Sequence, residues 1–109
     1  IRLILNKMKE IAPHTPAILT GDFNCIPGEE PLQTLEDNEM KNAAKLATVA
    51  YGPSWTFHDF GRLPMEERVL LDYVFTTNEA NIDRYRVIKD TPDNGFLSDH
   101  YPVLVKLTF

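Results

Sequence analysis

The chain has 109 residues, 43% hydrophobic and 25% charged, which is typical of one small soluble globular domain. Its net charge of −5 argues against sequence-independent binding of nucleic acid and fits a metal site rich in carboxylates better. The single cysteine, Cys25, excludes an internal disulfide and is interpreted as a small buried hydrophobe. With no apolar run long enough to cross a bilayer, we expect a soluble protein and favour the cytoplasm, although any export signal would precede Ile1.

The first half of the chain predicts two helices and one strand. Apolar residues at helical spacing predict an amphipathic helix over Ile1–Ala12, and the aliphatic run Ala17–Thr20 predicts a short buried strand. A proline in the first turn suits a second helix over Pro31–Asn38, and residues 42–47 form a weak helical patch. Since the first helix begins without a capping residue ahead of it, we expect the chain to be part of a longer protein.

The second half is richer in strands. Arg68–Thr76 contains many branched and aromatic residues and is apolar on both faces, so it predicts a central strand. Other strands are predicted at 54–57, 84–89 and 102–109, with a loop at 60–67 and turns at 52–53 and 93–95. The whole pattern predicts a mixed α/β domain.

Four polar clusters interrupt this apolar pattern. They are Asp22 with Asn24 after the first strand, Thr56–Asp59, Asp72 within its strand, and Ser98–Pro102 before the last strand. Ionised carboxylates are rarely buried unless they are paired or bound to metal. The clusters are therefore the candidate functional residues of the chain.

Each cluster also has a structural explanation when it is taken alone. Asp22–Asn24 could be a turn in which the side chains bond their own backbone. Asp72 could pair with Arg68, and His58 most simply packs or hydrogen-bonds within the core. Residues 98–100 could be a local turn cap followed by a half-buried imidazole.

Taken together, the clusters fit a phosphoester hydrolase, which needs a metal, an activated water and donors for the developing charge. Asp22 and Asp99 are hard oxygen ligands or water acceptors suited to Mg²⁺. Asn24 offers an uncharged donor, and His100 can donate to a phosphate oxygen or exchange a proton near neutral pH. Asp72 could fix the tautomer of the imidazole.

In this order the motifs resemble signatures of the endonuclease/exonuclease/phosphatase family, the metal-dependent phosphohydrolases typified by DNase I and the abasic-site endonucleases. The matching stretches are GDFN at 21–24, TFHDF at 56–60, DYVF at 72–75 and SDHYPV at 98–103. Several motifs in order at predicted strand ends are far more specific than a single match. The resemblance covers nearly the whole chain.

The resemblance implies an α/β (α+β) fold, half of a four-layer DNase I-like sandwich with a mixed, mostly antiparallel sheet and flanking helices. It implies a requirement for Mg²⁺ or Mn²⁺, with Asp99 and Asp22 at the metal. It further implies that Asp22 positions or deprotonates the attacking water and that Asn24 binds the scissile phosphate. By the same resemblance, Asp72 orients His100, which contacts the phosphate.

The chain departs from the family pattern in two ways. Leu70 stands where the family often has an arginine, and Arg68 is the nearest one. The motifs are also those of the C-terminal half alone, so residues 1–109 are expected to lack the N-terminal half with its metal-binding Asn and Glu. We therefore expect the isolated chain to be inactive and to self-associate through an uncovered sheet face and edge.

Three hypotheses about function remain open from the sequence. The first is hydrolysis of phosphoesters by the parent protein as a phosphatase, phosphodiesterase or nuclease, on nucleic acid, nucleotide, inositol phosphate or phospholipid headgroups. The second is a non-catalytic phosphate- or protein-binding module on the same scaffold. The third is a structural fragment without activity of its own. The acidic net charge favours smaller phosphoesters over long nucleic acids.

Overall fold

A computed structural model describes residues 1–93 and 95–109, which form two three-stranded sheets with helices beside them. The helices are α1 (Arg2–Ile11), α2 (Glu30–Asp37) and α3 (Ala43–Leu46), with a 3₁₀ turn at Met65–Glu67. The strands are β1 (Ile18–Asp22), β2 (Lys41–Asn42), β3 (Val49–Tyr51), β4 (Asp72–Thr76), β5 (Asn81–Val87) and β6 (Val103–Thr108). Within the described residues, no helix has the length and apolar character that a membrane span requires.

The first sheet has the order β1-β4-β2, and both strand pairs are antiparallel. The central position predicted for the strand now called β4 is confirmed. In the β1–β4 register, Asp22 lies opposite Asp72. Because residues directly opposite each other in a sheet share a face, the pairing brings two carboxylates together at one end of the sheet.

One hydrophobic core lies between this sheet and the helices. Tyr73 and Phe75 of β4 are buried there with Leu32 and Leu35 of α2 and Leu5 of α1. Burial of each large apolar side chain contributes about 1.5 to 3 kcal/mol. Because successive side chains of a strand alternate between its faces, this packing turns the first residue of β4, a carboxylate, away from the helices.

The second sheet has the order β3-β5-β6, with β3 parallel and β6 antiparallel to β5. Its inner side chains Tyr85 and Val87 form a second core, against which Val74 of β4 also packs. The second sheet thus covers the side of β4 that faces away from α1 and α2, and Ala43 of α3 packs in the same core. Burial alternates along β6 with Val103 and Val105 inward, as its sequence pattern predicts.

Some sequence predictions were wrong. Ala17–Thr20 was predicted to be buried, yet β1 is mostly exposed and Ile18 is 49% exposed, because β1 has β4 as its single strand partner among the described residues. Residues 54–57 form isolated bridges at Phe57 instead of a strand. The predicted strand from residue 68 begins only at residue 72, because the preceding residues bond to a loop.

Other boundaries differ by a few residues. Helices α1 and α2 lie within one residue of their predicted ends, and the weak helical patch at 42–47 divides into β2 and α3. The three-residue strand β3 was not predicted, and β5 begins three residues before the predicted 84–89 segment. The turn predicted at 93–95 includes Asn94, which lies outside the described residues.

Candidate active site

The site is centred on His100, in the segment that leads into β6. Its Nδ1 lies 2.7 Å from Oδ2 of Asp72, the first residue of β4. The backbone N–H of His100 donates to Ser98 Oγ at 3.1 Å, so both ring and main chain are held. The short distance within a half-buried pair indicates a strong, charge-assisted hydrogen bond. Asp72 is thereby committed to the imidazole.

The other ring nitrogen of His100 faces two further carboxylates. Its Nε2 lies 3.8 Å from Asp22 Oδ2 and 3.9 Å from Asp99 Oδ1, beyond hydrogen-bond distance but within range of their charges. Partial burial by itself would lower the pKa of His100. The hydrogen bond and charge of Asp72, with the charges of Asp22 and Asp99, outweigh this and raise that pKa above its ordinary value.

The loop after β1 presents Asp22 and Asn24 together. The Asn24 N–H donates to Asp22 Oδ1 at 2.9 Å, and Asn24 has a left-handed backbone with φ +50°. The turn that the sequence left open as a structural alternative for this stretch is therefore present. It occupies one oxygen of Asp22 and leaves Oδ2 directed toward His100, so the structural and functional interpretations of this carboxylate are compatible.

Cys25, in the same loop, is not placed to act as a nucleophile. Its thiol lies 3.1 Å from the carbonyl of Phe23 and is half-buried against the hydrophobic core between the first sheet and helices α1 and α2, which we call the helical core. Burial, followed by the charges of Glu29 and Asp22, raises the pKa of the thiol. The packing role predicted for this residue agrees with that environment, since only the thiolate is a good nucleophile.

The proposed ion pair between Asp72 and Arg68 is not found. Arg68 Nε donates to the Leu63 carbonyl at 2.8 Å, and its guanidinium lies 4.7 Å from the ring centre of Trp55. Leu70, at the position where the family often has arginine, packs against the helical core. Arg68 is thus engaged in the loop, which explains why Asp72 is free to bond His100.

His58 has the structural environment that its sequence predicted. It is fully buried, its ring packs against Phe96 and Tyr101, and its Nδ1 accepts a hydrogen bond from the Gly61 N–H at 3.1 Å. Burial, followed by the charge of Arg68, lowers the pKa of His58. A neutral core histidine is the consistent interpretation.

Phe57 is a residue of the site that the sequence did not single out. Its ring centre lies 5.0 Å from that of His100 at an interplanar angle of 54°, so it covers part of the imidazole. The two residues also form a backbone bridge. Thr56 and His58 are buried whereas Phe57 between them is half-buried, the reverse of what their polarity suggests, so the sequence carried no signal for this contact.

The carboxylates fit a divalent cation. Three potential ligand atoms lie within 4.8 Å of one another, one each from Asp22, Asp72 and His100. Because Asp72 already bonds His100, the oxygens left for a cation are those of Asp22 and Asp99, whose side chains are 38% and 44% exposed. Hard oxygens with room for water are what Mg²⁺ and Mn²⁺ prefer.

The chain thus combines two three-stranded sheets and neighbouring helices with an imidazole, that of His100, whose ring nitrogens lie within 3.9 Å of three carboxylates. A sequence profile of the Endonuclease/Exonuclease/phosphatase family matches residues 1–100. The chain belongs to the endonuclease/exonuclease/phosphatase family, whose members hydrolyse phosphoesters and generally depend on metal. The DNase I-like fold expected from the sequence is confirmed, as half of that domain.

Solved structures of the family are similar over nearly the whole chain. A family protein from Bacteroides vulgatus is 37% identical with a TM-score of 0.90, covering 98% of this chain and 41% of its own. A mannosyl-6-phosphatase from Bacteroides thetaiotaomicron is 29% identical with a TM-score of 0.86, covering 99% of this chain and 44% of its own. The chain thus spans less than half the length of these structures. No curated protein matches it.

Proposed function

We propose that the protein containing this chain is a metal-dependent phosphoester hydrolase. The observation that carries the proposal is the environment of His100, whose Nδ1 bonds Asp72 while its Nε2 faces Asp22 and Asp99. A buried structural histidine needs one or two hydrogen-bond partners. Three carboxylates around one half-exposed ring suit a site that moves protons and binds a charged substrate.

Each side chain then has a role that its contacts support. Asp72 fixes His100 with the proton on Nδ1 and stabilises the imidazolium, which leaves Nε2 available to a phosphoryl oxygen. Asp22 Oδ2 accepts a proton from the attacking water, since Oδ1 is occupied by the turn. The exposed Asn24 amide donates to the phosphoryl group as negative charge develops.

Asp22 and Asp99 are the residues of this chain that would hold Mg²⁺ or Mn²⁺. When bound, such an ion supplies Lewis-acid polarisation of the phosphoryl oxygen. Residues 1–109 form the C-terminal half of the catalytic domain in this proposal, and the N-terminal half supplies the remaining metal ligands. The 41% coverage of the Bacteroides vulgatus structure supports that division.

A small phosphomonoester, such as a sugar phosphate, is the proposed substrate. The chain carries a net charge of −5, which disfavours a long polyanion, because binding a nucleic-acid backbone needs clustered basic residues. The similarity to a protein named mannosyl-6-phosphatase supports the same choice. Nucleotides and phosphodiesters are the competing substrates.

The test is a panel of substrates assayed with the full-length protein in Mg²⁺, in Mn²⁺ and in EDTA. The panel holds p-nitrophenyl phosphate, mannose 6-phosphate, bis-p-nitrophenyl phosphate and a DNA oligonucleotide. We expect phosphate release from the monoesters that EDTA abolishes, and slower turnover of the oligonucleotide. Faster turnover of DNA would contradict the substrate choice. Binding of phosphate esters without metal-dependent turnover of any would support the non-catalytic module instead.

A further inference from the structure

The segment Thr56–His58 crosses between the two parts of the chain that carry the site, and we call it the crossing segment. Thr56 and His58 are fully buried, whereas Phe57 is half-buried against the imidazole. The segment is not a regular strand, yet its backbone forms bridges to Val69 on one side and to His100 on the other.

On one side, the crossing segment holds the residues that precede Asp72. The N–H groups of Thr56 and Phe57 both lie 3.0 Å from the Val69 carbonyl. The Thr56 hydroxyl oxygen accepts a hydrogen bond from the Leu71 N–H at 3.1 Å. Since the Leu71 carbonyl in turn accepts from the Phe23 N–H at 2.9 Å, just after β1, the residue directly before Asp72 is fixed at both its backbone polar groups.

On the other side, the crossing segment holds the residues that flank His100. The Thr56 carbonyl accepts a hydrogen bond from the Tyr101 N–H at 2.8 Å, and the His58 N–H donates to the Asp99 carbonyl at 3.0 Å. Thr56 is therefore the residue that bonds both the neighbour of Asp72 and the neighbour of His100. Its side chain serves the first contact and its main chain the second.

We infer that Thr56 is a positioning residue that sets the separation of Asp72 and His100. The hydroxyl fixes the start of β4 relative to the crossing segment, and the crossing segment fixes the backbone around the imidazole. Hydrogen-bond strength falls steeply with distance and angle, so a small shift of Leu71 weakens the 2.7 Å contact. The catalytic consequence rests on the function proposed above, whereas the geometric claim does not.

The first test compares three variants of the full-length protein with wild type. Thr56→Val keeps the shape but removes the acceptor for the Leu71 N–H, and Thr56→Ser keeps the acceptor. Thr77→Val is the matched control, because Thr77 Oγ1 accepts from the Ala17 N–H at 2.9 Å at the far end of the sheet.

We expect Thr56→Val to lower kcat by about tenfold or more, since sub-ångström misplacement of a catalytic group is costly, while KM changes less than about threefold. Thr56→Ser should retain kcat within about threefold, and Thr77→Val should leave it unchanged. A purely structural role for Thr56 predicts equal kcat in Thr56→Val and Thr77→Val, and that result would overturn the inference.

The second readout needs no turnover. In a proton NMR spectrum, the Nδ1–H of His100 bonded to Asp72 should resonate well downfield of the amides and vanish in His100→Gln. Thr56→Val should shift or broaden this signal, and Thr77→Val should leave it in place. An unchanged signal in Thr56→Val overturns the inference even in a protein that hydrolyses nothing. Should that variant not fold, Thr56→Cys, with a weaker acceptor, must shift or broaden the signal relative to wild type while Thr56→Ser leaves it in place, or the inference fails.

Discussion

Nδ1 of His100 lies 2.7 Å from Oδ2 of Asp72, although the two residues are 28 positions apart in the chain. The strand register adds a third group to this pair, because Asp22 lies opposite Asp72 across the β1–β4 ladder. One long-range pairing in the sheet and one short hydrogen bond therefore assemble the site. The contact also explains why His100, although half-buried, has a raised pKa.

Replacing Asp72 with Asn should reduce turnover by about a hundredfold or more, because the amide does not stabilise the imidazolium and permits the wrong tautomer. The measurement is steady-state hydrolysis of a phosphomonoester in Mg²⁺ by the full-length protein. Asp37→Asn is the control, since Asp37 lies exposed on α2 and accepts a hydrogen bond from the exposed Gln33. Wild-type turnover in Asp72→Asn would show that the contact is structural.

Gly52 should be far less replaceable by alanine than Gly28. Both have a left-handed backbone, with φ +88° at Gly52 and +95° at Gly28. A Cβ added at Gly52 would lie 2.2 Å from the Val87 carbonyl oxygen, whereas a Cβ added at Gly28 would have no described heavy atom within 4 Å. Gly28→Ala should cost about 1 to 2 kcal/mol from backbone strain. Gly52→Ala should cost about 1 to 3 kcal/mol more, because β5 must shift.

Urea denaturation of both variants measures the difference between the two costs. Since the strain of the left-handed backbone is shared, the difference isolates the contact with β5. Equal losses of unfolding free energy would contradict the close approach of this turn to β5.

His58 should make the protein less stable in acid. Burial lowers its pKa below the ordinary 6.5, so the unfolded state takes up the proton first. Its contribution to the unfolding free energy is therefore complete above pH 6.5 and is lost as the pH falls through the lower folded value. The slope due to this group is at most about 1.4 kcal/mol per pH unit.

The check is urea denaturation at pH values from 7.5 to 5, in steps on the order of half a pH unit. Three proteins are compared: wild type, His58→Gln and the control His14→Gln, whose substituted residue is exposed. The difference in unfolding free energy between wild type and His58→Gln should become smaller as the pH falls. Of these two proteins, wild type alone carries His58, whose pKa is lowered by burial. The His14→Gln protein retains His58, so its stability should also fall toward acid. Parallel curves for all three proteins would show that protonation of His58 carries no folding cost.

The sequence located the candidate groups because each carboxylate interrupts or ends an apolar run. Asp22 follows the aliphatic strand and Asp72 stands within the apolar Arg68–Thr76 segment. Their mutual register was not predictable, because antiparallel pairing depends on contacts between distant segments. The packing of Phe57 on His100 was missed for the same reason, since it joins two loops that carry no periodic pattern.

The predictions that failed concern edges and short elements. Ala17–Thr20 is as aliphatic as a buried strand, but the exposure of β1 depends on how many strands flank it, which local sequence does not encode. β3 has three residues, too few to show a period. Arg68 was one possible partner of Asp72 in the structural alternative, but its side chain reaches loop carbonyls and Trp55 instead.

The isolated 109-residue chain should self-associate through its exposed strand edges. Leu104 of β6 is 57% exposed, and β6 has β5 as its single strand partner within the described residues. Leu104→Lys should raise the dissociation constant of the self-associated chain about tenfold or more, because a charge on an edge strand opposes its pairing with a strand of another copy. A tenfold change corresponds to about 1.4 kcal/mol of association free energy. Leu3→Lys on α1, where Leu3 is 71% exposed, is the control and should change it little.

Sedimentation velocity and dye binding measure this association. A reversible dimer or larger species that Leu104→Lys weakens is the expected result. A monodisperse wild-type monomer with low dye binding would count against it, as would equal effects of the two lysine substitutions.

In the proposed mechanism Asp22 and His100 act together on the phosphoester, so Asp22→Asn and His100→Ala should each impair turnover by the full-length protein. Measured on p-nitrophenyl phosphate in Mg²⁺, each substitution should lower kcat by about a hundredfold or more, the usual scale for losing a general base or a charge-stabilising donor. Wild-type rates of Mg²⁺-dependent hydrolysis in both variants would show that neither Asp22 nor His100 takes part in the reaction.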